Sequence, residues 1–417
     1  MEQIHLFTCA ACNYIPKVRL LFQSIRKYHP DWVLHLALAD ELPEHIDISS
    51  EPFDHVWPVA KLNIPHWLGW AFCHNIVELS TAIKPFAMLR FMELPEASKI
   101  IYMDPDTVAF SKLDDILKAL DESSLLLTPH LTEPEDDIHA VMDNEICSLK
   151  HGIYNLGFIG IKINEESKRF ATWWANRLYH FCRADIKNGL FTDQRWIDLV
   201  PAFFEGVAIM RSPRHNVASW NLTHRHISGN FETGFFVNGE PLGFYHFTGF
   251  DSGAHDIMVM KNIGTNDSVN MLLKWYKERI HELGQDPLAS LPWAFARFSD
   301  GTPIQPIQRI VYRERPDLQQ AFHDPFDEQG FLQWWNTQAK IEYPSLFQPE
   351  TSQSQKEAMF QCLTPGYLGD TMPNGTKTIQ NILKHAVGNP KTFSTILKRG
   401  WHIVKQEGIK GIKRRIT

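Results

Sequence analysis

The chain has 417 residues and a formal net charge of −7, with 44% apolar and 21% charged residues, and 13 Trp with 27 Phe. This is globular composition, too apolar for a disordered chain, and long enough to expect one large domain with a smaller one beside it. Residues 391–417 hold eight Lys or Arg against the single acid Glu407, a net of +7 that leaves −14 for the remainder, so the body lacks the basic surface of a nucleic-acid binder.

The first residues, Met1 to Phe7, lack a basic stretch followed by a long apolar one, and nowhere do eighteen apolar residues run together. The expectation is a cytoplasmic protein without a transmembrane span. Six scattered cysteines argue for reduced thiols, including the Cys9 and Cys12 pair, which has no second pair to complete a metal site.

In chain order, residues 4–9 and 33–39 read as short apolar strands, and Ile15 to Tyr28 between them has helical periodicity with Pro16 near its start. A helix around 82–93 precedes a third apolar run, Lys99 to Met103, which stops at Asp104-Pro105-Asp106. Strands follow at 124–128, 153–163 and 206–210, with an amphipathic helix at 165–182. This alternation predicts an α/β fold with a mostly parallel sheet, whose ligands gather at the carboxyl ends of its strands. After residue 255 the pattern turns helical. The expected organisation is a catalytic domain over 1–255, a mainly helical accessory domain over 256–342, a linker and helical segment over 343–391, and a basic amphipathic tail over 392–417.

Residues two apart in a strand share a side, so Asp104 and Asp106 present two carboxylates where the third strand leaves the sheet. Pro105 ends pairing and stiffens the loop. Two hard oxygen ligands at such an edge suit Mg²⁺ or Mn²⁺, and an ion there can neutralise a departing diphosphate.

Several segments occur in an order that resembles one family. These are Thr8 to Tyr28 with Asn13-Tyr14, Lys84-Pro85, Lys99 to Phe110, Tyr154-Asn155-Leu156-Gly157-Phe158, and Thr192-Asp193-Gln194. Asn216 with Trp220-Asn221 follows, and then Tyr245-His246-Phe247-Thr248-Gly249. Over roughly residues 4–252 the chain resembles bacterial glycosyltransferases of the GT-A fold, in particular the retaining family 8 galactosyl- and glucosyltransferases. The resemblance implies a Rossmann-like sheet flanked by helices with a C-terminal helical extension. It implies a nucleotide-sugar donor, with UDP as the nucleotide, held by Thr8, Asn13, Tyr14, Lys84, Asp104, Asp106 and Gly249. It implies a metal held by Asp104, Asp106 and His246, and donor-sugar contacts from Asp193, Gln194 and Asn155. The acceptor would be a hydroxyl of a surface glycan or lipid-linked saccharide, as in polysaccharide biosynthesis.

Alternative readings of single residues stand beside these. His246 on an aromatic strand also reads as a core histidine, Asp193 as a first-turn helix acid, and Tyr14 as a ring packed under its loop. His224 and His226 read as a polar loop beside the acceptor. One ring of each pair Trp173-Trp174 and Trp334-Trp335 is expected in the core. Where the family has Lys-Pro-Trp after its late His-x-x-Gly, this chain has Phe250-Asp251-Ser252, which leaves Lys84, Arg90 or Arg214 to hold phosphate. Three other readings remain: a catalytically silent sugar-binding scaffold, an inverting transferase with Asp251 as base, and a nucleotidyltransferase. The last is disfavoured because Ala10-Ala11-Cys12-Asn13 is not a Gly-rich basic loop. The tail 392–417, with Ile396, Trp401, Ile409 and Ile412 among its cations, reads as a peripheral anchor to an anionic membrane at its cytoplasmic face.

Overall fold

In a computed structural model, residues 3–43 and 48–361 are described. The strands used below are β1 (Gln3–Ala10), β2 (Val33–Leu38), β3 (His55–Pro58), β4 (Ala97–Met103), β5 (Thr107–Ala109), β6 (Leu125–Pro129), β7 (Tyr154–Lys162), β8 (Val207–Ile209) and β9 (Phe244–His246). The helices are α1 (Ile15–Tyr28), α2 (Lys84–Phe91), α3 (Glu165–Phe181), α4 (Gln194–Ile197) and α5 (Asp267–Leu283). The fold is a mixed α/β structure with a mostly parallel central sheet, in the order β8-β6-β7-β4-β1-β2-β3. Only β7 runs against its neighbours, pairing antiparallel with both β4 and β6.

The strands read as unbroken apolar runs because both faces of the sheet are covered. Consecutive residues divide between the two layers. Phe7, Ile100, Tyr102, Leu127 and Ile159 face the core beneath α2 and α3, with Met88, Phe91, Phe170 and Trp174. Leu6, Ile101, Met103, Leu126 and Phe158 face the opposite core, with Val18, Leu21, Phe22 and Ile25 of α1. The expected helix over 82–93 is divided at Ile83, between Ile76–Ala82 and Lys84–Phe91. The edge strand β3 was not anticipated, since its side chains are exposed or half-buried and leave no apolar run to read.

Residues 1–348 form one compact unit. The segment 256–342, expected as an accessory domain, belongs to it. Val269, Leu272 and Tyr276 of α5 share a third core with Tyr245 and Phe247, Leu288 enters the α1 layer, and Phe295 enters the α2 layer. The second unit begins at Pro349, and its described part carries the helix Gln353–Gln361. The tail 392–417 lies outside the described residues.

The topology fixes where the site forms. Because β7 is antiparallel, its first residues lie at the edge where β1 and β4 end, with Met103 opposite Phe158. The short antiparallel pair of β5 and β9 sets His246 opposite Thr107 at that same edge.

Candidate active site and metal centre

Asp104 and Asp106 stand where the buried run of β4 stops. The turn is locked by its backbone: Asp104 N–H donates to Gly157 O at 2.9 Å, and Thr107 donates to Asp104 O from both its N–H (3.0 Å) and its Oγ1 (2.7 Å). Phe247 N–H donates to Asp106 O at 2.8 Å, tying the end of β9 to the same turn. With the main chain satisfied in this way, both carboxylates are left facing His246. Its Nε2 lies 3.0 Å from Asp106 Oδ1 and 3.8 Å from Asp104 Oδ2. One ligand atom from each of the three lies within 4.8 Å of the others. Burial opposes charge on both members of the close pair, but each outweighs it for the other. The Asp106 pKa is held below the usual carboxylate value by His246 and Lys17, and the His246 pKa is raised by Asp106 and Asp104.

These residues suit a divalent cation. Two carboxylate oxygens and one imidazole nitrogen make a donor set that Mn²⁺ or Mg²⁺ accepts. The ring is seated against a glycine: a β-carbon at Gly157 would lie 2.6 Å from His246 Nδ1 and 2.7 Å from Asn155 Oδ1. His246 Nδ1 itself is buried with no hydrogen-bond partner among the described residues. Gly157→Ala is therefore expected to push the imidazole aside and weaken Mn²⁺ binding by about tenfold or more, as loss of ligand orientation does. Calorimetric titration with Mn²⁺ checks this, and unchanged affinity would show that the ring is not a ligand.

Next to the carboxylates lies a buried cation. Lys84, at the start of α2, has its Nζ 2.8 Å from Asp193 Oδ2 and 3.3 Å from Asp104 Oδ1, and donates to Leu156 O at 3.2 Å. It also lies 4.3 Å above the Tyr102 ring, whose hydroxyl donates to Asp104 Oδ1. Burial disfavours the ammonium, but Asp104 and Asp193 outweigh it and raise its pKa. Burial lifts the Asp193 carboxyl pKa despite Lys84. Thr192, at a left-handed φ of 44°, donates from Oγ1 to Asp193 Oδ1 at 3.0 Å.

The beginning of β7 is held by Gln194, the first residue of α4. Its Oε1 accepts from Leu156 N–H at 2.9 Å and from Asn155 Nδ2 at 3.3 Å, and its Nε2 donates to His151 O at 3.0 Å. Asn155 Oδ1 accepts from Gly157 N–H at 3.1 Å, and its Nδ2 lies 3.2 Å from His130 Nε2. Half-buried His130, which sequence reasoning missed, packs edge-on to Trp220, and Trp220 edge-on to His246. Burial pushes the His130 pKa down to about 4, so its ring is neutral near pH 7.

On the β1 side, Thr8 is fully buried and its hydroxyl has no partner among the described residues. Asn13 is exposed in the short turn Cys12–Tyr14. Tyr14 donates from its hydroxyl to Asp251 Oδ2 at 3.0 Å, and Lys17 Nζ lies 2.5 Å from the same oxygen. Gly249 turns the chain after β9 at φ 70° and accepts from Ser252 Oγ at 3.1 Å. Two further residues went unread in the sequence. Asp40, at the end of β2, is buried and accepts from the N–H groups of Cys12, Glu41 and Ala294. Lys17 sits in an ordinary helical pattern with nothing local to distinguish it.

Other candidates are engaged with partners outside this cluster, except that Trp174 Nε1 donates to Asp193 O at 3.4 Å and buried Cys9 lies in the neighbourhood of Lys84, Asp104 and Asp193. Arg90 pairs with Glu93, and Arg214 with Asp115. His224 pairs with Glu135 at 3.2 Å. Trp174 and Trp335 are the buried members of their pairs. Cys9 and Cys12 are buried free thiols.

No family model matches the chain. Over 259 residues it is 26% identical to the uncharacterized protein YfnD of Bacillus subtilis (strain 168), covering 60% of this chain and 79% of that protein. Over 253 residues it is 25% identical to the uncharacterized protein YfnF of the same organism, covering 58% and 82%. Among solved structures it is similar to the galactosyltransferase LgtC in complex with donor and acceptor sugar analogs, at 16% identity and a TM-score of 0.41, covering 68% of this chain and 98% of that one.

Proposed function

We propose that this chain is a metal-dependent glycosyltransferase that moves a sugar from a nucleotide-diphospho-sugar, UDP being the nucleotide its sequence resemblance suggests, to a hydroxyl of a glycan or lipid-linked acceptor. The observation that carries this reading is the convergence of Asp104, Asp106 and His246 at the carboxyl edge of the sheet, beside the buried Lys84–Asp193 pair. Asp104, Asp106 and His246 hold the ion, which when bound supplies positive charge to the diphosphate oxygens. Thr8, Asn13, Tyr14 and Gly249 border the nucleotide, whose place is between the end of β1 and the turn after β9.

The chain's own residues order the sugar side. Lys84 holds Asp193 and Asp104 at one spacing, and Gln194 fixes Asn155, so the donor sugar meets a pre-set row of polar groups. Half-buried Trp220, edge-on to both His130 and His246, offers aromatic surface of the kind a pyranose packs on. Transfer with retention of configuration follows the sequence resemblance. Asp251, the base of an inverting alternative, has one oxygen engaged by both Lys17 and Tyr14. Among the described residues no helix is long and apolar enough to cross a membrane. A lipid-linked acceptor would be met at the membrane surface, with the basic segment 392–417, read from the sequence, as the anchor.

The test is a panel of radiolabelled nucleotide-sugars incubated without acceptor in Mn²⁺. One of them is expected to be hydrolysed slowly, and EDTA to stop it. If no sugar is released from any donor, and no nucleoside diphosphate binds in Mn²⁺, the reading fails.

A further inference from the structure

Two donors converge on one oxygen beside the carboxylates Asp104 and Asp106, and a third, the Tyr276 hydroxyl, is carried by a ring packed on Phe250, the neighbour of Asp251. Lys17 Nζ and Tyr14 Oη converge on a single oxygen, Asp251 Oδ2, at 2.5 and 3.0 Å, with the ammonium 4.0 Å above the Tyr14 ring. Tyr276, brought in by α5, is fully buried, and its hydroxyl has no hydrogen-bond partner among the described residues. These groups share one electrostatic neighbourhood. After burial itself, Asp251 and Asp106 act on the Tyr14 hydroxyl, and Asp106, Asp251 and Tyr14 on that of Tyr276, while Lys17 acts on Asp106.

The two sides of this contact are built differently. Lys17 is anchored in the first full helix with its side chain 6% exposed, and the Tyr276 ring is stacked on Phe247 at 3.9 Å and edge-on to Phe250. The donors are therefore fixed. The Asp251 side chain is 57% exposed, in a turn flanked by Gly249 at φ 70° and Gly253 at φ 75°, backbone that glycine adopts without strain. The carboxylate is the movable member. One carboxylate oxygen accepting from an ammonium and a phenol, next to Asp104, Asp106 and His246, is held by the donors a phosphate oxygen would take.

We propose that Lys17, Tyr14 and Tyr276 form the diphosphate cradle of this site, and that Asp251 fills it as an internal carboxylate which swings out when the donor binds. The inference rests on the donor-binding reading above and adds its phosphate contacts and a competing group. The closed turn multiplies apparent donor affinity by the fraction of molecules in which the cradle is open, so a tenfold gain on release corresponds to about one molecule in ten being open.

The test is calorimetric titration of UDP in Mn²⁺, and of pyrophosphate in Mg²⁺, into the full-length protein and three variants. Asp251→Asn is expected to bind both ligands about tenfold tighter. Lys17→Met should bind both at least about tenfold more weakly, and Tyr276→Phe about threefold more weakly, because it keeps the stacked ring and loses only the hydroxyl. If Lys17→Met fails to fold, the other two variants decide, since neither removes packing. Asp251→Asn with unchanged or weaker affinity, or Tyr276→Phe with wild-type affinity, would overturn the cradle while leaving the donor site in place. A wild-type protein that binds neither ligand would remove the donor site together with the cradle.

Discussion

Alanine at Asp106 is expected to abolish Mn²⁺-dependent nucleotide binding and to lower sugar transfer by about a thousandfold or more, the scale on which a preorganised electrostatic contact acts. The residue's structural tie is through its backbone, where Asp106 O accepts from Phe247 N–H at 2.8 Å, and alanine keeps that bond. Its side chain faces His246 at 3.0 Å at the opening of the site. The thermal midpoint should accordingly move by only a few degrees, the shift that about 1 kcal/mol produces in a chain this long. Calorimetry with and without Mn²⁺, beside a labelled transfer assay, reads both effects. Normal activity of Asp106→Ala, or wild-type turnover in excess EDTA, would end the metal reading.

The second large effect is on stability. Lys84→Met should destabilise the fold by roughly 3–5 kcal/mol, because it leaves buried Asp193 facing Asp104 with no cation between them. Both side chains of the Lys84–Asp193 pair are only 3% exposed, so solvent does little to screen the loss. Thermal and denaturant unfolding measure it. Adding Asp193→Asn to Lys84→Met should recover most of the stability without restoring activity, since the uncompensated charge is gone but the positioned carboxylate is gone too. If Lys84→Met unfolds like wild type and loses only nucleotide affinity, Lys84 is a phosphate ligand instead of the residue that sets the two carboxylates.

Much of this site was legible in the chain. The apolar run Lys99 to Met103 ending at Asp104-Pro105-Asp106 marks a buried strand with carboxylates at its exit, because strand periodicity and proline's missing N–H act over a few residues. The alternation of strands and helices indicated a largely parallel sheet for the same local reason. Resemblance brought His246, Asn155, Asp193 and Gln194 into the list, but not what each touches. Gln194 reads as a sugar contact in sequence, whereas the structure shows it satisfying Leu156 N–H, Asn155 and His151 O. Lys84 reads as a donor-site cation, and its position is a buried one between two carboxylates.

What the sequence determined by itself was the set of local elements and the type of chemistry at their ends, since periodicity, turn residues and paired carboxylates need no partner elsewhere in the chain. Only the tertiary structure decided which distant groups meet. Lys17 and Asp251 are 234 residues apart and touch through a single oxygen. Tyr276 arrives from a helix beyond the segment that resembles a transferase, because its ring finds its burial on Phe247. Gly157 matters for the absence of a side chain where the His246 ring lies. Such contacts are fixed by how the layers pack and by the one reversed strand that brings its beginning to the carboxyl edge, and no local pattern encodes them.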